Sequence, residues 1–296
     1  MKHFFLLLLM ALSWSPAQDN SGFDALKLNG DVRTAALSGS GSALTGDAGV
    51  VFVNPAGMLA EGRSSAVFQY RQTALGAAFH TMAAVFAMEQ SAFSVDAAYL
   101  AIPGIEIRGV IPTDEPQGVT DAFNLAVGVS YARYLGNWQW GVKVKYLFEK
   151  YYLATAPGWA VDWGVQRRDV AEDTDWGLTI QNVGRMAPLD QQATPLPLTV
   201  RSGFRYGLMD DVSAGTLNLI PEIIWRRGER LTYSMGLIYA PLPFMRLLGG
   251  AGARGEVLTW SAGLSVQYGH YVLRYAYGTV GYGLPGSHSF GASFYF

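Results

Sequence analysis

The ten residues SHSFGASFYF at positions 287–296 alternate along their length. His288, Phe290, Ala292, Phe294 and Phe296 fall on one face, and Ser289, Gly291, Ser293 and Tyr295 fall on the other. A period of two marks an extended strand, because successive side chains point to opposite faces. The same pattern recurs upstream. Leu258, Trp260, Ala262, Leu264, Val266 and Tyr268 oppose Thr259, Ser261, Gly263, Ser265 and Gln267. Leu231, Tyr233, Met235, Leu237 and Tyr239 repeat it. Trp138, Trp140, Val142, Val144, Tyr146 and Phe148 do so as well, opposite Gln139, Gly141, Lys143 and Lys145.

The sense of this alternation separates two all-β architectures. A sandwich buries its aliphatic face and charges the other. Here the apolar face is heavy in Trp, Tyr and Phe, and its opposite is Gly, Ser, Thr and Ala with a few charges. That suits a lipid-facing wall around a filled or wet interior. The fold class expected is therefore all-β, a transmembrane antiparallel barrel. Composition agrees: only 15% of the 296 residues are charged, against about 25% in soluble domains.

Counting alternating segments gives fourteen strands, near 64–73, 78–89, 91–101, 121–134, 137–149, 158–168, 173–182, 196–207, 211–225, 230–240, 242–254, 256–267, 270–279 and 286–296. An even number is the rule for bacterial barrels. Pro221 interrupts the ninth segment, where a proline lacks the N–H a ladder needs, so a twelve-strand reading stays open. Gly136-Asn137, Glu89-Gln90 and Gly228-Glu229 read as tight turns. The link from Pro103 to Thr120 reads as an extracellular loop, and Gln191 to Pro195 as a second. No helical alternative competes, since the best apolar run, Ala74 to Met88, is interrupted by His80 and falls short of the roughly 20 residues a spanning helix needs.

Residues 1–17 read as a cleaved signal peptide: Lys2, an apolar run from Phe4 to Leu12, then Ser15-Pro16-Ala17 at the positions a signal peptidase reads. The mature chain is expected to begin near Gln18 and to reach the bacterial outer membrane. With no Cys in the sequence, a lipoprotein anchor is excluded. Residues 18–62 are small, polar and Gly-rich without sustained alternation. They are too long for an ordinary connector, and their apolar members (Leu37, Leu44, Val50 to Val53, Met58, Leu59) argue against a disordered tail. They are expected to fold into the lumen as a plug, with 63–296 forming the barrel.

The plug also carries a resemblance. RTAALSGSGSALTGDAGVVFVNPAGMLAEGRSSAVFQY, from Arg33 to Tyr70, resembles the N-terminus shared by FadL-type outer-membrane transporters and the PorV/PorQ proteins. Asn54-Pro55-Ala56-Gly57 matches their central motif, with Asp47-Ala48 ahead of it. Gln181-Asn182-Val183-Gly184 and Pro195-Leu196-Pro197-Leu198 look like the PorV/PorQ branch. The resemblance implies a fourteen-stranded FadL-like barrel that is accessory to protein export, in a system of type IX secretion. Its partners would be secreted cargo or components of that system. The alternative is passive uptake of a hydrophobic small molecule or fatty acid, as in the FadL branch. Outer-membrane lipid is the expected surroundings, and the terminal Phe296 resembles the signal that the barrel-assembly machinery reads.

Physical chemistry gives the motif a role without the family. Pro55 fixes φ and biases Asn54 toward an extended conformation. Asn54 holds a local turn and Gly57 permits close approach. Asn54, Pro55, Ala56 and Gly57, with Asp47, are thus candidates for a plug bend and for a ligand gate, the plain bend being the simpler reading.

Enzymatic signals are missing. Gly41 and Gly46 have P-loop spacing, but Asp47-Ala48 stands where Lys and Ser/Thr belong. There is no G-x-S-x-G motif, and His80, His270 and His288 are scattered, so neither a catalytic triad nor a metal set forms. The formal charge of −2 offers nothing to nucleic acid. No enzyme activity, cofactor or metal is expected. The inferred lumen face does place Asp96, Asp162 and Glu222 opposite Lys143, Lys145, Arg201, Arg205 and Arg274. Structural cross-bracing is favoured for them over an ion-selectivity ring.

Overall fold

The computed structural model describes residues 21–296 except 60–61, 74–75, 110–113, 190, 212–213 and 282. The expected signal peptide lies outside the described residues, as does Pro112. Fourteen antiparallel strands close into a barrel. In chain order the first seven are β1 (Ser65–Gln72), β2 (Ala78–Ala87), β3 (Ser91–Ile107), β4 (Gly118–Leu135), β5 (Trp138–Tyr151), β6 (Ala154–Ala171) and β7 (Thr174–Met186). A small hairpin, β8 (Pro188–Leu189) with β9 (Gln192–Ala193), stands apart from the wall. The wall resumes with β10 (Thr199–Asp211), β11 (Gly215–Arg226), β12 (Thr232–Leu242), β13 (Met245–Arg254), β14 (Val257–Tyr268), β15 (Tyr271–Gly278) and β16 (Ser287–Tyr295). Closure is made by β16 on β1, in register from Ser65 opposite Tyr295 to Gln72 opposite His288. No helix among the described residues is long and apolar enough to cross a membrane.

Side-chain periodicity sorts the wall as the sequence implied. Phe68, Val95, Val129, Val144, Trp260 and Leu273 are exposed on the outside. Ser94, Ser130, Lys143, Ser261 and Ser293 are buried within. Closure removes sheet edges, and with them the unpaired backbone groups that lipid does not tolerate.

Three sequence expectations need adjustment. Pro221 lies inside β11, so the twelve-strand reading falls. Its missing N–H costs little there. The β10–β11 ladder runs from Gly203 opposite Glu222 to Tyr206 opposite Leu219 and skips the positions between, while Pro221 pairs with Met235 on its other side. The connection after β3 is shorter than read, because the strand continues to Ile107 past an irregularity at Ile102–Ile105. There Gly104 has φ +74, a left-handed conformation suited to glycine. Finally, β6 and β7 run longer than expected, to Ala171 and Met186.

The two barrel ends differ. One has tight connections at 88–90, 136–137, 172–173, 243–244 and 269–270, and the opposite end has the longer ones at 108–117, 187–198 and 279–286. Short turns belong on the periplasmic side and long loops outside, which orients the molecule. Residues 21–59 fill the interior.

Candidate functional site

The plug starts near the extracellular mouth, where the Gly22 N–H donates to Pro195 O at 3.1 Å. Phe23, Ala25, Leu147, Ala156, Met186 and Leu196 form an apolar collar there. The chain then descends through one short helix, α1 (Val32–Ala36), and 3-10 turns at Ala48–Phe52 and Pro55–Leu59. A lower apolar lobe of Val50, Val51, Met58 and Leu59 packs on Val67, Val85 and Ala132 near the periplasmic end.

So little regular structure leaves many plug backbone groups without intrasegment partners, and buried ones must be satisfied. The wall supplies the partners. Gln69 accepts from Val32 N at 2.6 Å and donates to Gly30 O at 2.7 Å. Gln166 Nε2 donates to Ser42 O and Leu44 O at 2.8 and 2.9 Å. Glu222 Oε2 accepts from the N–H groups of Gly41 and Ser42 at 2.6 and 2.7 Å, while its Oε1 accepts from Arg201 Nε at 2.7 Å. Arg201 also donates to Gly39 O. Hydroxyl pairs Ser38–Ser261 and Ser40–Ser234 lie at 2.9 and 2.7 Å.

Asn54 is fully buried. Its Oδ1 accepts from Ala56 N at 3.0 Å, and its Nδ2 donates to Ser42 O at 2.7 Å. The first bond closes a turn at Pro55, and the second ties two plug segments together. Room for this bend comes from glycines in the wall. A Cβ on Gly141 would stand 2.5 Å from Ala56 N, and one on Gly164 would collide with Asn54 Oδ1. Asp47 caps the following turn through Gly49 N at 3.1 Å. Its other oxygen accepts from Arg274 Nη1 and Ser293 Oγ, each at 2.5 Å.

The lumen charges meet in pairs. Lys143 binds Asp96 at 2.6 Å, Lys145 binds Asp162 at 2.7 Å, Arg201 binds Glu222 at 2.7 Å and Arg205 binds Asp175 at 2.6 Å. Asp162 also accepts from Asn182 N at 2.7 Å. The pairs sit at several heights, from Asp175 near the periplasmic end of β7 to Arg201 near the extracellular end of β10, rather than in one ring. Sequence reasoning missed Asp175, Gln69, Gln166 and Arg71. Each lies on the inward face of a strand, so the phase of the alternation was the available signal. Phe296 sits outside the lumen, its ring 6.2 Å from Phe86 and 5.9 Å from Phe294.

Above the plug, on the side of β14–β16 and β1, a cavity of about 320 Å³ opens at the mouth. Leu28, Ala35, Ala276, Val280 and Leu284 give it apolar lining, and Arg71 contributes a cation. A second cavity of about 180 Å³ adjoins it, sharing Lys27, Asn29, Ser38 and Thr259. Below the collar lies a small polar cavity of about 50 Å³, bordered by Lys143, Lys145, Asp162 and Arg201.

Several solved barrels are similar to this one. The toluene transporter TbuX of Ralstonia pickettii superposes with a TM-score of 0.63 at 14% identity, over 94% of this chain and 99% of that one. The toluene transporter TodX of Pseudomonas putida gives 0.65 at 10%, over 95% and 99%. A FadL homologue of Pseudomonas aeruginosa gives 0.63 at 11%, over 89% and 98%. The closed fourteen-stranded wall thus has the fold of these barrels. Neither family models nor curated protein sequences match the chain, and identities this low speak to architecture alone.

Proposed function

We propose that this protein is a non-enzymatic outer-membrane channel that admits hydrophobic small molecules from the extracellular side. The observation that carries this reading is the apolar-lined cavity of about 320 Å³ at the extracellular mouth, set above a plug tied to the wall. A concave, mostly apolar site with a few placed polar groups is the usual form of a small-molecule site. The barrels it superposes on include toluene transporters and a monoaromatic hydrocarbon channel, which supports the same reading. The export-accessory role implied by the PorV/PorQ resemblance has less behind it. On the channel reading, a ligand collects in the vestibule and the plug yields to let it pass, with Asn54 and Pro55 as the bend about which the lower lobe is organised. Outer-membrane lipid surrounds the wall, and the barrel-assembly machinery is the proposed partner for insertion.

Mass spectrometry of gently purified protein tests the reading. The expected result is a co-purifying hydrophobic small molecule that is lost when Ala276→Phe fills the vestibule. Recovery of secreted proteins on pull-down from native membrane, with no bound small molecule, would favour the export role instead.

A further inference from the structure

The inward acids Asp47, Asp96, Asp162, Asp175 and Glu222 each meet a cation within ion-pair distance. Glu149 does not. It lies on the inward face of β5, two positions from the strand's extracellular end, and is fully buried. Its Oε1 accepts from Thr194 Oγ1 at 2.7 Å, and its Oε2 has no hydrogen-bond partner among the described residues. The neighbouring strands offer no counter-charge, since β4 presents Asn124 opposite Glu149 and β6 presents Ala156. Asn124 is itself engaged, accepting from Ala25 N at 3.4 Å and donating to the Tyr151 hydroxyl at 3.3 Å. On the plug, Lys27 is turned to Asp24 at 3.2 Å and to Ser21 O at 2.6 Å. The titratable groups facing this corner of the collar are therefore Asp24, Lys27 and Tyr151.

Thr194 belongs to the connection 187–198 between β7 and β10, which reaches over the collar as a strap. Its described part is held at Ala187, whose N–H donates to Pro157 O at 2.7 Å, and at Pro197, whose carbonyl accepts from Asn182 Nδ2 at 2.9 Å. Pro195 O accepts from Gly22 N, and Leu196 is buried in the collar. The Thr194 methyl fills the space beside Gly22, where a Cβ would collide with it. Strap, plug start and Glu149 thus form one layer, and Glu149 is the ionisable group among the strap's anchors.

A carboxyl without a counter-charge is tolerated in a dry site as the neutral acid, and ionising it there costs far more than in water. Resting on the channel reading above, we propose that Glu149 is a proton-operated latch on the strap. As the neutral acid it holds Thr194 over the collar. On losing its proton it needs water that the closed strap excludes, so the strap lifts and opens the mouth to a hydrophobic ligand. The closed form binds the proton that the open form releases, so rising pH favours the open form. Above the ordinary glutamate value of about 4.3, each pH unit lowers the closed-to-open ratio by up to about tenfold.

Nitroxides at Leu153→Cys, on the β5–β6 turn, and Gln192→Cys, on the strap, report the movement by double electron–electron resonance on the full barrel in lipid nanodiscs. Both positions are exposed, and the chain has no Cys of its own. Between about pH 4 and about pH 9, a second, longer distance is expected to grow in this labelled parent. Glu149→Gln should hold the shorter distance throughout, because glutamine has the shape of the neutral acid and no proton to lose. Equal growth of the longer distance in Glu149→Gln, or no change with pH in the parent, overturns the latch. The parent titration decides the matter even where Glu149→Gln fails to assemble. Binding of N-phenylnaphthylamine to the same samples separates the two readings. Dye bound by a barrel whose strap ignores pH overturns the latch and leaves the channel standing. A strap that lifts with pH while no dye binds supports the latch and contradicts the channel.

Discussion

Asp47 and Arg274 lie 227 positions apart in sequence and meet at 2.5 Å, carboxylate on the plug and guanidinium on β15. Both side chains are at most 4% exposed. The contact joins the plug to a strand near the end of the chain, so the plug docks fully only when the wall is nearly complete. Removing one partner of such a pair strands the other charge. Asp47→Ala or Arg274→Met should each cost about 3–5 kcal/mol. The double variant should cost less than the two singles combined, measured by denaturant unfolding in detergent micelles.

Lys145 and Asp162 test whether the lumen charges brace or conduct. Asp162 bonds both Lys145 Nζ and Asn182 N, so Asp162→Ala removes a crosslink between β5, β6 and β7. The expected outcome is a lower unfolding midpoint with unchanged conductance and ion selectivity in planar bilayers. Unchanged stability with altered selectivity would overturn the bracing role.

Close approach of plug to wall depends on Gly177 and Gly164. A side chain on Gly177 would overlap Ser42 O, and one on Gly164 would overlap Asn54 Oδ1. Gly177→Val should therefore push the plug out while the barrel still closes. The readout is protease cleavage within residues 21–59, with heat-modifiable migration preserved. A protected plug in the Val variant would show that the contact is not limiting.

Much of the fold was legible because a barrel wall repeats one rule. Alternation at Trp138–Phe148 or Leu258–Tyr268 reports strand and facing together, and an even strand count follows from turns such as Gly136-Asn137. Pro221 left the count of fourteen open to a twelve-strand alternative because the gap in the β10–β11 ladder that accommodates it depends on a neighbouring strand. Strand ends at Ile107 and Ala171 were hidden for a related reason: beyond the membrane the apolar alternation fades while pairing continues. The candidate site was legible in part. Charge on the inward face marked Lys143, Lys145 and Glu222, but their partners are distant in sequence and no spacing links them.

Ser40 and Ser234 offer the most direct test of a ligand channel with a yielding plug. Their hydroxyl oxygens are 2.7 Å apart, and the chain has no Cys, so Ser40→Cys/Ser234→Cys places two thiols within reach of each other, to be joined by oxidation. Uptake of the neutral hydrophobic dye N-phenylnaphthylamine is followed by fluorescence in cells carrying this variant. Reduced cells are expected to take up the dye faster than cells without the barrel, and oxidation should bring the rate down to that background. Uptake at background in the reduced cells and in wild type would contradict the channel, and equal raised uptake in both redox states would contradict the moving plug.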